Sequence, residues 1–196
     1  MSGLKSFDEY VALAGQAHGH ICAGQILGLR MALYGVKLLE LEDPAGRDRK
    51  RLVTYVEIDR CATDAIAVVT GCRIGKRSLK FRDFGKVAAT FCDLERQRAV
   101  RVLARESSKD RARELYPEIE DKNRQQMLAY REMADQELFD CQWVRVEIPP
   151  EDLPGFKAPR AVCQACGEGI NFRRELVREG RLLCRACAGE RYYTPL

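Results

Sequence analysis

The sequence predicts an α+β fold: helices packed on a β-sheet in a core domain, with a small four-cysteine zinc ribbon behind it. Three observations predict it. Apolar residues Leu27, Met31, Tyr34 and Leu38 recur at helical spacing, which puts them on one face. LVTYVEI, RAVRVLARE and DCQWVRVEIP alternate instead, as half-buried strands do. Two CxxC pairs then follow a stretch with four prolines in thirteen residues, PPEDLPGFKAPRA.

The elements follow in order. Ser6 and Glu9 have the spacing of a capping box, so a first helix starts at Phe7. A second helix is expected from Ile21 to Leu39. Gly24 and Gly28 fall inside it, where each costs about 1 kcal/mol relative to Ala, so close packing or a nearby ligand is expected there. GRDRKR is a polar turn, and LVTYVEI is a strand. ATDAIAVVTG reads as a short helix capped by Thr63, with Ile66 and Val69 on its buried side. SLKFRDFGKVAATFCDLE contains two strand-like runs, and KVAATFCD pairs with RAVRVLARE as a hairpin. The stretch from Ser108 to Phe139 reads as two helices broken near Pro117, with Glu and Arg at helical spacing. The expected domains are a core over 1–148, a linker over 149–161 and a tail over 162–196.

Apolar residues make up 46% of the 196-residue chain and charged residues 32%, a balance that excludes a disordered class. No apolar run approaches the length of a membrane span. MSGLKSFDEY lacks the pattern of a secretory signal, so a cytoplasmic protein is expected. The formal charge is +4, and twelve Lys or Arg face five Asp or Glu between Lys76 and Arg113. Such a run suits an acidic partner or nucleic acid; a solvated surface explains it as well. Nine cysteines, an odd number, argue against a disulfide framework in that compartment.

The tail is too short to fold on an apolar core alone. Its staple is Cys163, Cys166, Cys184 and Cys187, two CxxC pairs separated by seventeen residues. Four thiolates suit tetrahedral zinc and leave no open position, so the ion is structural. INFRRELV and GRLL between the pairs can form a hairpin. Arg173, Arg174, Arg178, Arg181 and Arg185 lend the tail a basic cast, yet no aromatic and basic interleaving of a nucleic-acid module is present, and none is expected as a partner.

HGHICAG, residues 18–24, holds both histidines of the chain. His18 and Cys22 would share a face if a helix ran through them. Alternatively, His20 and Cys22 act from an irregular turn at a helix N-terminus, where free N–H groups favour a thiolate or an anion. His and Cys bind zinc, copper and iron. Further on, Cys61 and Cys72 bracket Asp64, Thr70 and Gly71. Spacing alone does not bring them to the first stretch.

HGHICAGQILGLRM, CATDAIAVVTGCRIGKRSL and DFGKVAATF together resemble the FmdE/FwdE family, named for formylmethanofuran dehydrogenase, over roughly residues 7–147. The four-cysteine unit resembles the zinc-finger tail that many members carry. The resemblance implies an α+β core with a metal site whose candidate ligands are His18, His20, Cys22 and Cys61, with Cys72 close by. Asp64 would orient a histidine from behind. The family's usual first motif has proline after the cysteine; this chain has Ala23. The core ion would be zinc or another transition metal. A two-part metal-binding protein is therefore expected, with catalysis left open. The alternatives are an accessory component of a molybdenum or tungsten oxidoreductase, a nucleic-acid-binding zinc protein, and a thiol redox protein using Cys22 with Cys61 or Cys72. A homodimer is the expected assembly, and a larger oxidoreductase is the other candidate partner.

Tyr55, Phe81, Phe84, Phe91, Phe139 and Trp143 are expected as core or pocket walls, and Cys92 and Cys141 as buried thiols. Arg30 is expected to neutralise a carboxylate near the site or to make a surface ion pair. Lys76, Lys80 and Lys86 are candidates for an anion pocket.

Overall fold

The structure, a computed structural model, describes residues 3–196; Met1 and Ser2, at the start of the expected core domain, lie outside the described residues. The chain divides into two compact units between Val146 and Glu147. The proline-rich stretch belongs to the second unit rather than standing between the two.

In the first unit, α1 (Phe7–His18) begins on the Ser6–Glu9 capping box and stops at Gly19, whose φ of 93° is a left-handed turn that a Cβ would oppose. Helix α2 (Ala23–Leu38) follows after only four residues. The sequence predicts a stripe of buried residues on it; the helix is instead buried nearly all round, from Ala23, Gln25 and Ile26 to Gly35 and Val36. That follows from its composition, since only Arg30 and Lys37 carry charge. Arg30 is neither a site residue nor a simple surface pair. Its guanidinium donates to the carbonyls of Tyr130, Arg131 and Met133 and to Asp135 Oδ1, closing the open end of a neighbouring helix.

Strand β1 (Leu52–Val56) leads through α3 (Cys61–Thr70) to β2 (Leu79–Phe81), which lies parallel to it. Strands β3 (Ala88–Asp93) and β4 (Arg98–Ala104) form the expected hairpin. Helices α4 (Ser107–Leu115), α5 (Lys122–Glu132) and the short α6 (Asp135–Leu138) precede β5 (Phe139–Val144). The sheet order is β2-β1-β3-β4-β5, antiparallel except for β1 with β2. Phe91, Val100 and Val102 pack against α2 in one apolar core. Thr63 does not cap α3: the helix starts two residues earlier, and the Thr63 hydroxyl donates to the Ile58 carbonyl at 2.6 Å.

Some outward residues depart from expectation. Phe91 and Phe139 are buried, but Phe81, Phe84 and Trp143 are exposed, and Trp143 carries Arg98 over its ring. Cys92 is buried, with its thiol pushed up to about 12 by that burial, whereas Cys141 on the edge strand is exposed. The basic run is largely neutralised. Arg96 pairs with Glu40, Arg101 with Glu57, Arg105 with Asp140, Arg111 with Glu114 and Glu137, and Lys109 and Arg113 with carboxylates three residues away. Lys86 lines a cavity of about 640 Å³ with Arg101 and Arg105, whose charges are already met.

In the second unit, β6 (Ala161–Val162) pairs with β7 (Gly169–Ile170) and β8 (Leu176–Arg178) with β9 (Arg181–Leu183). Its apolar centre is three buried residues, Cys163, Ile170 and Leu183. That is far too little to hold a fold without a staple. Arg174 pairs with Asp152 and Arg185 with Glu190, and Arg173 lies over Phe156, while Arg178 and Arg181 are exposed on β8 and β9. Among the described residues, no helix is long and apolar enough to cross a membrane.

Candidate metal centres

The tail cluster is built locally. The first CxxC forms the turn between β6 and β7, and the second follows β9. Gln164 ties the two together: its N–H donates to Leu182 O at 2.9 Å, and its Oε1 accepts from Leu182 N at 2.8 Å. The thiol sulfurs of Cys163, Cys166, Cys184 and Cys187 all lie within 4.8 Å of one another. Cys166 Sγ and Cys184 Sγ are 3.9 Å apart. A tetrahedron with Zn–S bonds of about 2.3 Å has edges of about 3.8 Å, so the four residues fit zinc. Backbone N–H groups are aimed at the sulfurs: Cys184 N donates to Cys163 Sγ at 3.3 Å and Cys187 N to Cys184 Sγ at 3.4 Å. The Cys184 and Cys166 amides hold the Cys163 thiol down to about 6, so it is ready as a thiolate at neutral pH.

The core residues are assembled across the fold. HGHICAG is the junction between α1 and α2: His18 ends α1, Gly19 turns the chain, His20 sits in the bend and Cys22 is the N-cap of α2. Of the two geometries the sequence allows, the irregular turn is the one present. A cysteine is an unusual N-cap, and its side chain makes no capping bond. The job is done from elsewhere: Asn123 Oδ1 on α5 accepts from Ala23 N at 2.8 Å. Cys22 Sγ is thereby left for other chemistry. Asn123 carried no signal in the sequence, because nothing in one residue reports that it caps another helix a hundred positions away.

Cys61 is the first residue of α3, and its side chain approaches that of Cys22 across Gly24, where an added Cβ would lie 3.4 Å from Cys61 Cβ and 3.7 Å from Cys22 Sγ. Burial and this neighbour push the Cys61 thiol up. The glycines explain the approach. A Cβ on Gly28 would lie 2.5 Å from the Ala62 carbonyl oxygen and 2.7 Å from Ala62 Cα, so only glycine lets α3 press its first turn on α2. Asp64, one turn along α3, brings Oδ2 to 2.8 Å from His18 Nδ1. An ionised carboxylate only accepts, so Nδ1 carries the hydrogen in this contact and Nε2 is the ring nitrogen left for another partner. The His20 ring lies 4.9 Å from the His18 ring, centroid to centroid.

Cys72 does not belong with these residues. It follows α3 at the end opposite Cys61, and a ten-residue helix is about 15 Å long. Its buried sulfur accepts from Thr54 Oγ1 at 3.5 Å and lies 3.7 Å from Leu52 O, facing the sheet. Among the described residues, only the tail draws three or more donors within 4.8 Å of one another. The core donors stand in two pairs, thiol beside thiol and imidazole beside imidazole. The thiol pair opens on a cavity of about 620 Å³, whose wall also includes Asp59, Arg60, Lys109 and Asn123.

The comparisons with known proteins agree with this two-part layout. Residues 17–140, more than half of the chain, match the family model described as FmdE, Molybdenum formylmethanofuran dehydrogenase operon. The chain belongs to the FmdE family. Residues 158–193 match the prokaryotic dksA/traR C4-type zinc finger, so this FmdE-family chain carries a zinc-finger-like tail. A protein of Archaeoglobus fulgidus named "Probable S-adenosyl-L-methionine-binding protein" is 32% identical over 91% of the chain. The chain spans about half the length of that relative, 52%. A crystal structure of an FmdE-like protein of the tungsten formylmethanofuran dehydrogenase type, from Syntrophus aciditrophicus, shares the fold. Its TM-score is 0.66 at 22% identity, covering 97% of this chain and 96% of that one.

Proposed function

We propose that this FmdE-family protein binds two metal ions in unlike ways. The tail zinc is structural. The second ion, zinc or another transition metal, sits at the α1–α2 junction on Cys22 and Cys61, with His18 and His20 as the imidazole donors and Asp64 orienting His18. The observation that carries this reading is the approach of Cys22 and Cys61 across Gly24 at the starts of two separate helices, one of which also carries the Asp64 that holds His18. Two thiols and two imidazoles are the donor set that zinc takes. A bound ion would join the two pairs that stand apart without it.

The test is elemental analysis of the full chain purified without oxygen. The reading expects a second metal equivalent that disappears in Cys22→Ser with Cys61→Ser and survives in Cys163→Ser with Cys166→Ser. Metal content that depends on the tail cysteines alone would overturn it.

A second reading concerns what the cavity takes. Its volume lies in the range of small-molecule sites, and the Archaeoglobus relative is named for S-adenosyl-L-methionine. Binding of that molecule here, beside the thiol pair, is checked by calorimetric titration of the full chain; no heat at millimolar ligand would dismiss it. The proposed assembly is a homodimer, supported by β5, which ends the sheet with Cys141 and Trp143 exposed. Sedimentation of the full chain as a monomer at working concentration would refute it.

A further inference from the structure

We propose that Cys22 and Cys61 also form a reversible disulfide, so that the core site is switched off by a peroxide. This goes beyond metal binding: the bond needs only the two thiols, and only its consequence for an ion rests on the reading above.

Three features single out this pair among nine cysteines. The first is proximity. The two side chains flank Gly24. A Cβ added to Gly24 would meet both, at 3.4 Å from Cys61 Cβ and 3.7 Å from Cys22 Sγ. The Gly28 contact with the Ala62 backbone fixes that approach from the next turn of α2. The second is access. Both residues are half-buried and line the cavity of about 620 Å³, so a small oxidant reaches them. The third is freedom from other duties. Cys22 makes no capping bond, because Asn123 supplies it. The other thiols lack one feature or another. Cys72 and Cys92 are buried, Cys141 is exposed on β5 beside the Tyr34 hydroxyl, and the tail four hold one another.

The chemistry balances with hydrogen peroxide as the oxidant. One thiol is oxidised to a sulfenic acid, and the peroxide is reduced to water. The second sulfur then attacks the first, the S–S bond forms, and the hydroxyl leaves as a second water. A dithiol reverses the step and is itself oxidised to a disulfide. In the bonded form both soft donors are spent on each other, and an ion keeps only the imidazoles.

The experiment uses the full chain carrying Cys141→Ser, to remove the exposed thiol. The protein is freed of weakly held metal, exposed to stoichiometric peroxide, alkylated and digested with trypsin. Cys22 then lies on the peptide 6–30 and Cys61 on 61–73 with Cys72. The expected product is a cross-link of the two peptides that fragmentation assigns to Cys61, that dithiothreitol dissolves and that Cys61→Ser abolishes. Cys22 recovered as free thiol or sulfinic acid, or linked to Cys72, would overturn the proposal. A parallel sample reloaded with zinc separates the two readings. Slower cross-linking supports both; an unchanged rate leaves the disulfide standing and counts against the core metal site.

Discussion

The two cysteine centres of this chain differ in what comes first. In the tail, four thiols gather because one CxxC is the turn of the β6–β7 hairpin and the other follows the β8–β9 hairpin, and the apolar centre beside them is only Cys163, Ile170 and Leu183. The ion is the core of that unit. In the FmdE domain the order is reversed. A large apolar core sets α1, α2 and α3, and Cys22 approaches Cys61, and His18 Asp64, because those helices already stand in place. A site that makes its fold and a site that its fold makes should fail in opposite ways.

Metal removal is the strongest way to break the contrast. A high-affinity chelator should unfold the tail, since structural zinc in such units is worth on the order of 10 kcal/mol of apparent folding free energy. The FmdE sheet should persist. Hydrogen exchange reads this directly: protection is lost at Leu182 and Cys184, whose amides bond within the tail, and kept across β3 and β4. Joint loss of protection in both units would mean that the core, too, depends on an ion.

The converse test attacks the core through its packing. Gly28→Ala gains helix propensity but sets a Cβ against the Ala62 backbone, where no side chain can swing aside. Overpacking of this kind costs about 1–3 kcal/mol, and we expect a net loss of about 2 kcal/mol in urea unfolding of the first unit. Gly24→Ala is the control. Its nearest contact, 3.4 Å to Cys61 Cβ, is ordinary, so it should be tolerated. Equal effects at the two positions would remove the helix approach as the reason for the glycines.

A finer probe asks whether Asp64 acts through His18. Asp64→Asn keeps the shape but weakens the hold on Nδ1, and losing such an outer partner lowers metal affinity about 10–100-fold. Competition with a chromophoric chelator, read on the core equivalent only, checks it. Unchanged affinity would reduce the His18–Asp64 contact to a surface ion pair.

The same contrast explains what the sequence could say. The tail was legible because its ligands are local: CxxC spacing encodes the turn that presents them. The capping box at Ser6, the β3–β4 hairpin and the helix break near Pro117 were legible for that reason too. Misreadings arose where distant partners decide. Cys72 looks equivalent to Cys61 in sequence, yet α3 separates them by its whole length. Thr63 looks like a cap, but the Ile58 carbonyl takes its hydroxyl. Arg30 reads as one half of an ion pair, and beyond its pairing with Asp135 it closes the end of α5. The meeting of Cys22 with Cys61 was suggested by family resemblance, since nothing in the spacing encodes it.

Cys92 offers the cleanest sign. It is neither tail ligand nor junction thiol, and burial in the sheet pushes it up to about 12, against about 8.5 in an unfolded chain. Its contribution to stability is therefore fully present below pH ~8.5. Above that the unfolded state releases its proton while the folded state keeps it, and stability falls with pH until the folded thiol also ionises. The slope from one such group is about 1.4 kcal/mol per pH unit at most. Cys92→Ala deletes the term, so its stability should decline less steeply than that of the parent between about pH 9 and 11, by about that amount. Metal-bound thiolates behave in the opposite sense, because their protons are lost on folding with the ion. Parallel slopes for parent and variant would show that Cys92 ionises in the folded protein, and the sheet around it would have to admit water.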